Sequence, residues 1–172
     1  TRRRKIKATL QIVIAGDRGL AGGYNANILK RAQADSEGRN VRVLAIGKKA
    51  VEYYQKRAYP IVAQYQGVGE ELSISETTEI GEKIVALYRS GEIDEAIVYY
   101  TGFVSPLQQE PSSLTLLPLD LLGVKPQGRR TLTEYDPSPQ AVFDSLVPTF
   151  ITGTVYGAIV ESYVSEQAAR RT

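Results

Sequence analysis

The sequence predicts an α/β fold: a mainly parallel sheet covered by helices on both faces, followed by a long helix at the C-terminal end. Three observations predict it. Short apolar runs rich in β-branched residues recur and are bounded by glycine. The segments between them switch to helical periodicity, and the last stretch sustains one helical pattern throughout. A length of 172 residues suits one domain with a sizeable core.

The first strand is read at 8–15 (ATLQIVIA), bounded by Gly16, and the second at 41–46 (VRVLAI), bounded by Gly47. Between them Asn25 is the expected helix cap, with Ile28, Leu29 and Ala32 on one face; Ala50, Val51 and Tyr54 mark a second helix after Gly47. The third helix has the clearest signals. Ser73-Ile74-Ser75-Glu76 has capping-box spacing, Ile80, Ile84, Leu87 and Tyr88 follow at helical intervals, and Gly91 supplies a left-handed stop.

Two further strands are read at 93–100 (IDEAIVYY) and 113–119 (SLTLLPL); Pro118 places the latter at an edge or at its own end. Residues 123–139 (GVKPQGRRTLTEYDPSP) read as a connector with a candidate edge strand at 131–135. After Pro148 comes a long helix, with Val155, Ile159 and Tyr163 in one row and Tyr156, Val160 and Val164 in its neighbour. The final SEQAARRT has no helix stop, and the start is equally abrupt, with five basic residues among the first seven. Both ends are therefore expected to have been cut from a longer protein.

Composition narrows the function classes. With neither Cys nor His the chain has no disulfide, thiol nucleophile or His-based triad, and zinc sites are nearly excluded. The balance of 21 basic against 19 acidic residues leaves +2, so no global field attracts nucleic acid or an anionic membrane. No apolar stretch approaches the roughly 20 residues of a membrane helix, so a soluble protein in a reducing compartment is the simplest expectation. TRRRK reads as a solvated approach segment. Glu70, Glu71, Glu76 and Glu79 read as a carboxylate-rich helix approach and first turn rather than an acid–base pair, and the eleven tyrosines are too scattered for base stacking.

The segment AGDRGLAGGYN, 15–25, carries four glycines in eight positions directly after the first strand. Three readings stand. As a phosphate cradle it has the right strand–turn–helix setting, but it reads G-x-x-G-x-x-G-G rather than G-x-G-x-x-G, lacks GK[ST], and the second strand ends in Gly47, Lys48 and Lys49 instead of an acid. As a structural turn, its glycines permit close packing while Asp17 accepts loop amides and Arg18 is solvated. As a protein contact, Arg18 projects toward a partner carboxylate.

The stretch Asp17, Arg18, Gly19, Leu20, Ala21, Gly22, Gly23, Tyr24, Asn25 resembles the signature loop of the gamma subunit of F-type ATP synthases. Ile46-Gly47-Lys48-Lys49, Tyr100-Thr101-Gly102-Phe103-Val104-Ser105, Leu116-Leu117-Pro118-Leu119 and Ser165-Glu166-Gln167-Ala168-Ala169-Arg170 follow in the family's order, so the resemblance spans nearly the whole chain. It implies a Rossmann-like domain of about five strands at 1–145, and at 146–172 the start of the second helix of an antiparallel coiled-coil shaft, with Val155, Ile159, Val160, Tyr163 and Val164 on it.

The implied role is the central-stalk rotor, passing torque between the membrane c ring and the alpha/beta hexamer during proton-driven ATP synthesis or hydrolysis, with no bond chemistry of its own. The implied partners are the epsilon subunit, the alpha and beta subunits and the c ring, with residues 17–25 facing the beta subunits. The implied location is the cytoplasmic face of a bacterial plasma membrane, peripheral through the complex. No cofactor, metal, nucleic acid or direct nucleotide binding is expected; the alternative is a nucleotide- or dinucleotide-binding Rossmann-type enzyme domain. A charge at Val160 is expected to uncouple or unfold the domain. The sequence departs from the family pattern at Ala21, where many relatives have Cys, at the short 119–131 segment, which lacks the chloroplast Cys insertion, and at Arg171, where Met is usual.

Overall fold

The computed structural model describes residues 5–19, 22–67, 74–119 and 139–171. Five strands form one sheet in the order β3-β2-β1-β4-β5: β1 (Thr9–Ile14), β2 (Val41–Ile46), β3 (Ile61–Tyr65), β4 (Glu95–Ser105) and β5 (Gln108–Leu117). The helices are α1 (Tyr24–Ser36), α2 (Lys48–Gln55), α3 (Ile74–Arg89) and α4 (Pro139–Arg170). β1 lies at the centre with every residue buried, and it pairs in parallel with β2 from Thr9↔Val41 and with β4 from Thr9↔Glu95. Only β5 runs antiparallel, hairpinned to β4.

Alternation along β1 sends Leu10, Ile12 and Ile14 to one face, where α3 and α4 cover them with Ile80, Ile84, Val147, Ile151 and Val155. Val13 and Ala15 face the other side, under Ile28, Leu29 and Ala32 of α1 and Ala50, Val51 and Tyr54 of α2. The expected α/β architecture with helices on both faces is what the chain adopts. α3 stops where its sequence signalled, at Gly91 with φ +84°.

Four details differ from the sequence reading. β3 was not expected; IVAQY after Pro60 is five residues long and only half-buried, the weak signature of an edge strand. β4 runs on to Ser105 and β5 begins at Gln108, because one side of an antiparallel hairpin is solvated and accepts QQEPS, with Pro111 on the outermost strand. Asn25 is not a cap: α1 starts after Gly23, and Asn25 spends its side chain on the preceding loop.

The fourth concerns α4, which begins nine residues before Pro148 and holds that proline inside 32 helical residues. A mid-helix proline frees the carbonyl four positions earlier. Here the Asp144 carbonyl accepts the Arg89 guanidinium at 3.3 Å, so α3 supplies a donor that the helix lacks. The candidate strand at 131–135, the connector around it, Glu70, Glu71, Ser73 and the first four residues lie outside the described residues.

Candidate functional site: the glycine loop and the last turns of the long helix

The glycine loop leaves the carboxyl end of β1 beside β4, the point where strand order reverses and where open α/β sheets hold their ligands. The approach to the sheet is tight. Gly47, at φ +99°, would place a Cβ 1.9 Å from the Ala15 carbonyl oxygen, so only glycine lets β2 turn into α2 here. The Lys49 amide donates to the Gly16 carbonyl at 3.0 Å, and the Lys48 amide, at the first residue of α2, donates to Asp17 Oδ1 at 2.8 Å.

α1 ties the same loop from the other side. Asn25 Oδ1 accepts the Gly16 amide at 2.8 Å, while its Nδ2 donates to the Arg18 carbonyl at 2.9 Å. Tyr24 is buried and donates its hydroxyl to the Ser162 carbonyl of α4 at 2.6 Å. Burial, and then the nearby Glu166 carboxylate, pushes the Tyr24 pKa well above its ordinary value.

α4 closes the crevice. Ser162 Oγ accepts the Thr101 amide at 3.1 Å and Ser165 Oγ donates to the Thr101 carbonyl at 3.0 Å, so two serines bracket one residue of β4. Glu166 is buried against Gly16, where an added Cβ would lie 2.7 Å from its Oε2. Arg170 pairs with that carboxylate at 2.6 Å and donates to the carbonyls of Gly19 and Arg18, each at 3.0 Å.

This arrangement is a poor phosphate cradle. The Gly16 amide is already bonded to Asn25, the Arg170 guanidinium is taken up by loop carbonyls, and a carboxylate lies against the first glycine, where a phosphate would be repelled. No group of potential metal-binding His, Cys, Asp or Glu side chains occurs among the described residues. No described helix is long and apolar enough to cross a membrane.

A family model described as ATP synthase matches residues 1–172. The ATP synthase gamma chain of Ruminococcus albus is 44% identical over 177 residues, a match covering 100% of this chain and 62% of its own length. The chain belongs to the ATP synthase gamma family. The gamma chain of Alkaliphilus metalliredigens is 40% identical, over 98% of this chain and 60% of its own. This gamma-family chain thus spans about three fifths of the length of the curated relatives it matches. Among solved structures, it resembles a chain in the central stalk and c ring of Tetrahymena thermophila mitochondrial ATP synthase (TM-score 0.73, 17% identity, 97% of this chain and 75% of that one). A chain in the rotor of the Euglena gracilis mitochondrial enzyme gives a TM-score of 0.70 at 17% identity, over 96% of this chain and 64% of that one. At such identities the likeness is one of fold.

The nine loop residues singled out from the gamma-family sequence do not share one environment. Arg18, Gly22 and Gly23 are exposed, Asp17, Gly19 and Asn25 are half-buried, and Tyr24 points inward to α4; Leu20 and Ala21 lie outside the described residues. On α4, Val155 and Ile159 are buried on the sheet and Tyr163 is half-buried, whereas Val160 and Val164 are 42% and 44% exposed. Sequence reasoning assigned no role to Glu166, Arg170, Ser162 or Ser165. The available signal was a Glu and an Arg four residues apart on the buried row of a long helix, a spacing that pairs them.

Proposed function

We propose that this chain is the globular part of a central-stalk rotor subunit, passing torque between a membrane c ring and the catalytic alpha/beta hexamer as ATP is made or hydrolysed. The reading rests on gamma-family membership along the whole chain. It is supported by one observation above others. α4 buries one apolar row on the sheet and leaves a second, containing Leu146, Phe150, Tyr156, Val160 and Val164, in solvent. An exposed apolar face on a helix suits a partner helix, as an antiparallel shaft would provide.

The chain itself performs no bond chemistry in this reading; nucleotide turnover belongs to the alpha and beta subunits, and the coupling ion is chosen by the c ring. The sodium-specific gamma chain of Acetobacterium woodii is 32% identical to this chain. The partners proposed are alpha, beta, epsilon and the c ring, with exposed Arg18 facing an acidic loop of the beta subunits. Through them the chain is peripheral to the cytoplasmic face of a bacterial plasma membrane. The proposed boundary at 145/146 falls inside α4, which already begins at Pro139.

The deciding experiment mixes the chain with the epsilon subunit of the same genome, follows complex formation by size-exclusion chromatography and calorimetry, and titrates NADH and ATP separately. A one-to-one complex with no heat from either nucleotide is the expected result. Tight nucleotide binding without epsilon binding would overturn the rotor reading in favour of a Rossmann-type enzyme.

A further inference from the structure

The buried face of α4 changes chemistry along its length. From Val147 through Ile151, Val155 and Ala158 to Ile159 it is apolar and lies on the sheet. Beyond Ile159 the buried positions become Ser162, Ser165 and Glu166, which together with Arg170 meet β4 and the glycine loop. Apolar packing is non-directional and tolerates a small roll of the helix, whereas hydrogen bonds weaken steeply once misaligned. A roll of about 30° moves a side-chain tip roughly 5–6 Å from the helix axis by about 3 Å, enough to break each of these bonds.

Arg170 makes the most demanding contact of the set. Its guanidinium reaches one carboxylate on its own helix and two consecutive carbonyls of a loop more than 150 positions away in sequence, at 2.6 to 3.0 Å. Glu166 fixes the fork from below while the missing side chain at Gly16 makes room for it. A planar fork with fixed donors reads an angle as well as a distance.

We propose that Glu166 and Arg170 are positioning residues of the rotor: together they clasp the glycine loop and fix the rotational angle of α4 relative to the globular domain, so that torque on the helix reaches the sheet without slip. This rests on the rotor reading. The clasp does not touch nucleotide, and its loss changes how much rotation is delivered rather than how fast ATP is cleaved.

The test uses assembled ATP synthase carrying Arg170→Ala, Arg170→Lys or the double variant Gly19→Cys with Arg170→Cys. Among the described residues a Cβ at Gly19 meets only the Lys49 side chain at 3.5 Å, and no other cysteine occurs in the 172 residues. Unloaded ATP hydrolysis is expected to stay within about twofold of the unmodified enzyme. Ions pumped per ATP are expected to fall threefold or more in Arg170→Ala, and measurably less in Arg170→Lys, which keeps the charge but not the fork. Bridging the two cysteines with a short bis-maleimide is expected to restore the ratio.

A pumping ratio equal to the unmodified enzyme's in both Arg170 variants overturns the clasp, and if Arg170→Ala fails to assemble, Arg170→Lys alone decides. Failure of the bridge to raise the ratio also overturns it. Absence of pumping by the unmodified complex would instead overturn the rotor reading, and the clasp with it.

Discussion

Gly16 and Arg18 sit two residues apart in one loop and face opposite ways, the first against buried Glu166 and the second into solvent. Their substitutions should therefore separate scaffold from contact. Gly16→Ala drives a methyl into a carboxylate that Arg170 holds in place, and is expected to cost about 1–3 kcal/mol in urea unfolding of the chain. Arg18→Ala should change stability by no more than about 0.5 kcal/mol. On the proposed rotor reading, its effect appears only in the assembled enzyme, as altered turnover or rotation. Equal stability losses for the two would place Arg18 inside the loop's own scaffold. The glycine spacing announced a tight turn; it did not announce what lay beneath, because Glu166 is 150 residues away in sequence and no local rule connects them.

The rows on α4 show how far periodicity carries an element. Four-residue spacing identified two apolar rows, Val155 with Ile159 and Val160 with Val164, but a helix with two such rows does not say which one its own domain covers. The sheet covers the first, and the second is exposed, so a charge at Val160 is not expected to unfold the domain. Val155→Asp should lower stability by more than about 3 kcal/mol, since it buries an unpaired carboxylate in the main core. Val160→Asp should stay within about 0.5 kcal/mol and keep its melting temperature, and on the rotor reading proposed above it should block the packing of a partner helix. Thermal melting of both variants, with assembly yield beside it, checks the contrast. Edges were the hardest elements to read for a related reason: IVAQY and QQEPS are half-wet strands, and their pairing depends on neighbours distant in sequence rather than on their own pattern.

Taken as a whole, the molecule joins its layers through tyrosine bodies buried with their hydroxyls. Tyr24 links α1 to α4, Tyr99 of β4 donates to Asp35 of α1, and Tyr54 of α2 packs edge-on to Tyr53 and Tyr59. Burial pushes the hydroxyls of Tyr24, Tyr54 and Tyr99 well above the ordinary tyrosine value, and the half-buried Tyr65, also bonded to Glu79, is pushed up to about 12. With neither His nor Cys, no side chain of the sequence has an ordinary pKa between the carboxylates and the tyrosines. Below pH about 10 these hydroxyls are protonated in both the folded and unfolded chain; above it the unfolded chain loses protons that the folded chain retains, so stability falls as pH rises. The urea midpoint of the chain is expected to be level between about pH 7 and 9 and to drop progressively from about pH 10 upward. Tyr24→Phe should shallow that drop, because one of the retained protons is gone, while costing about 1 kcal/mol at neutral pH for the lost bond to Ser162. An alkaline drop equally steep in Tyr24→Phe would show that this hydroxyl titrates alike in both states, and that α1 and α4 are not held together at this point.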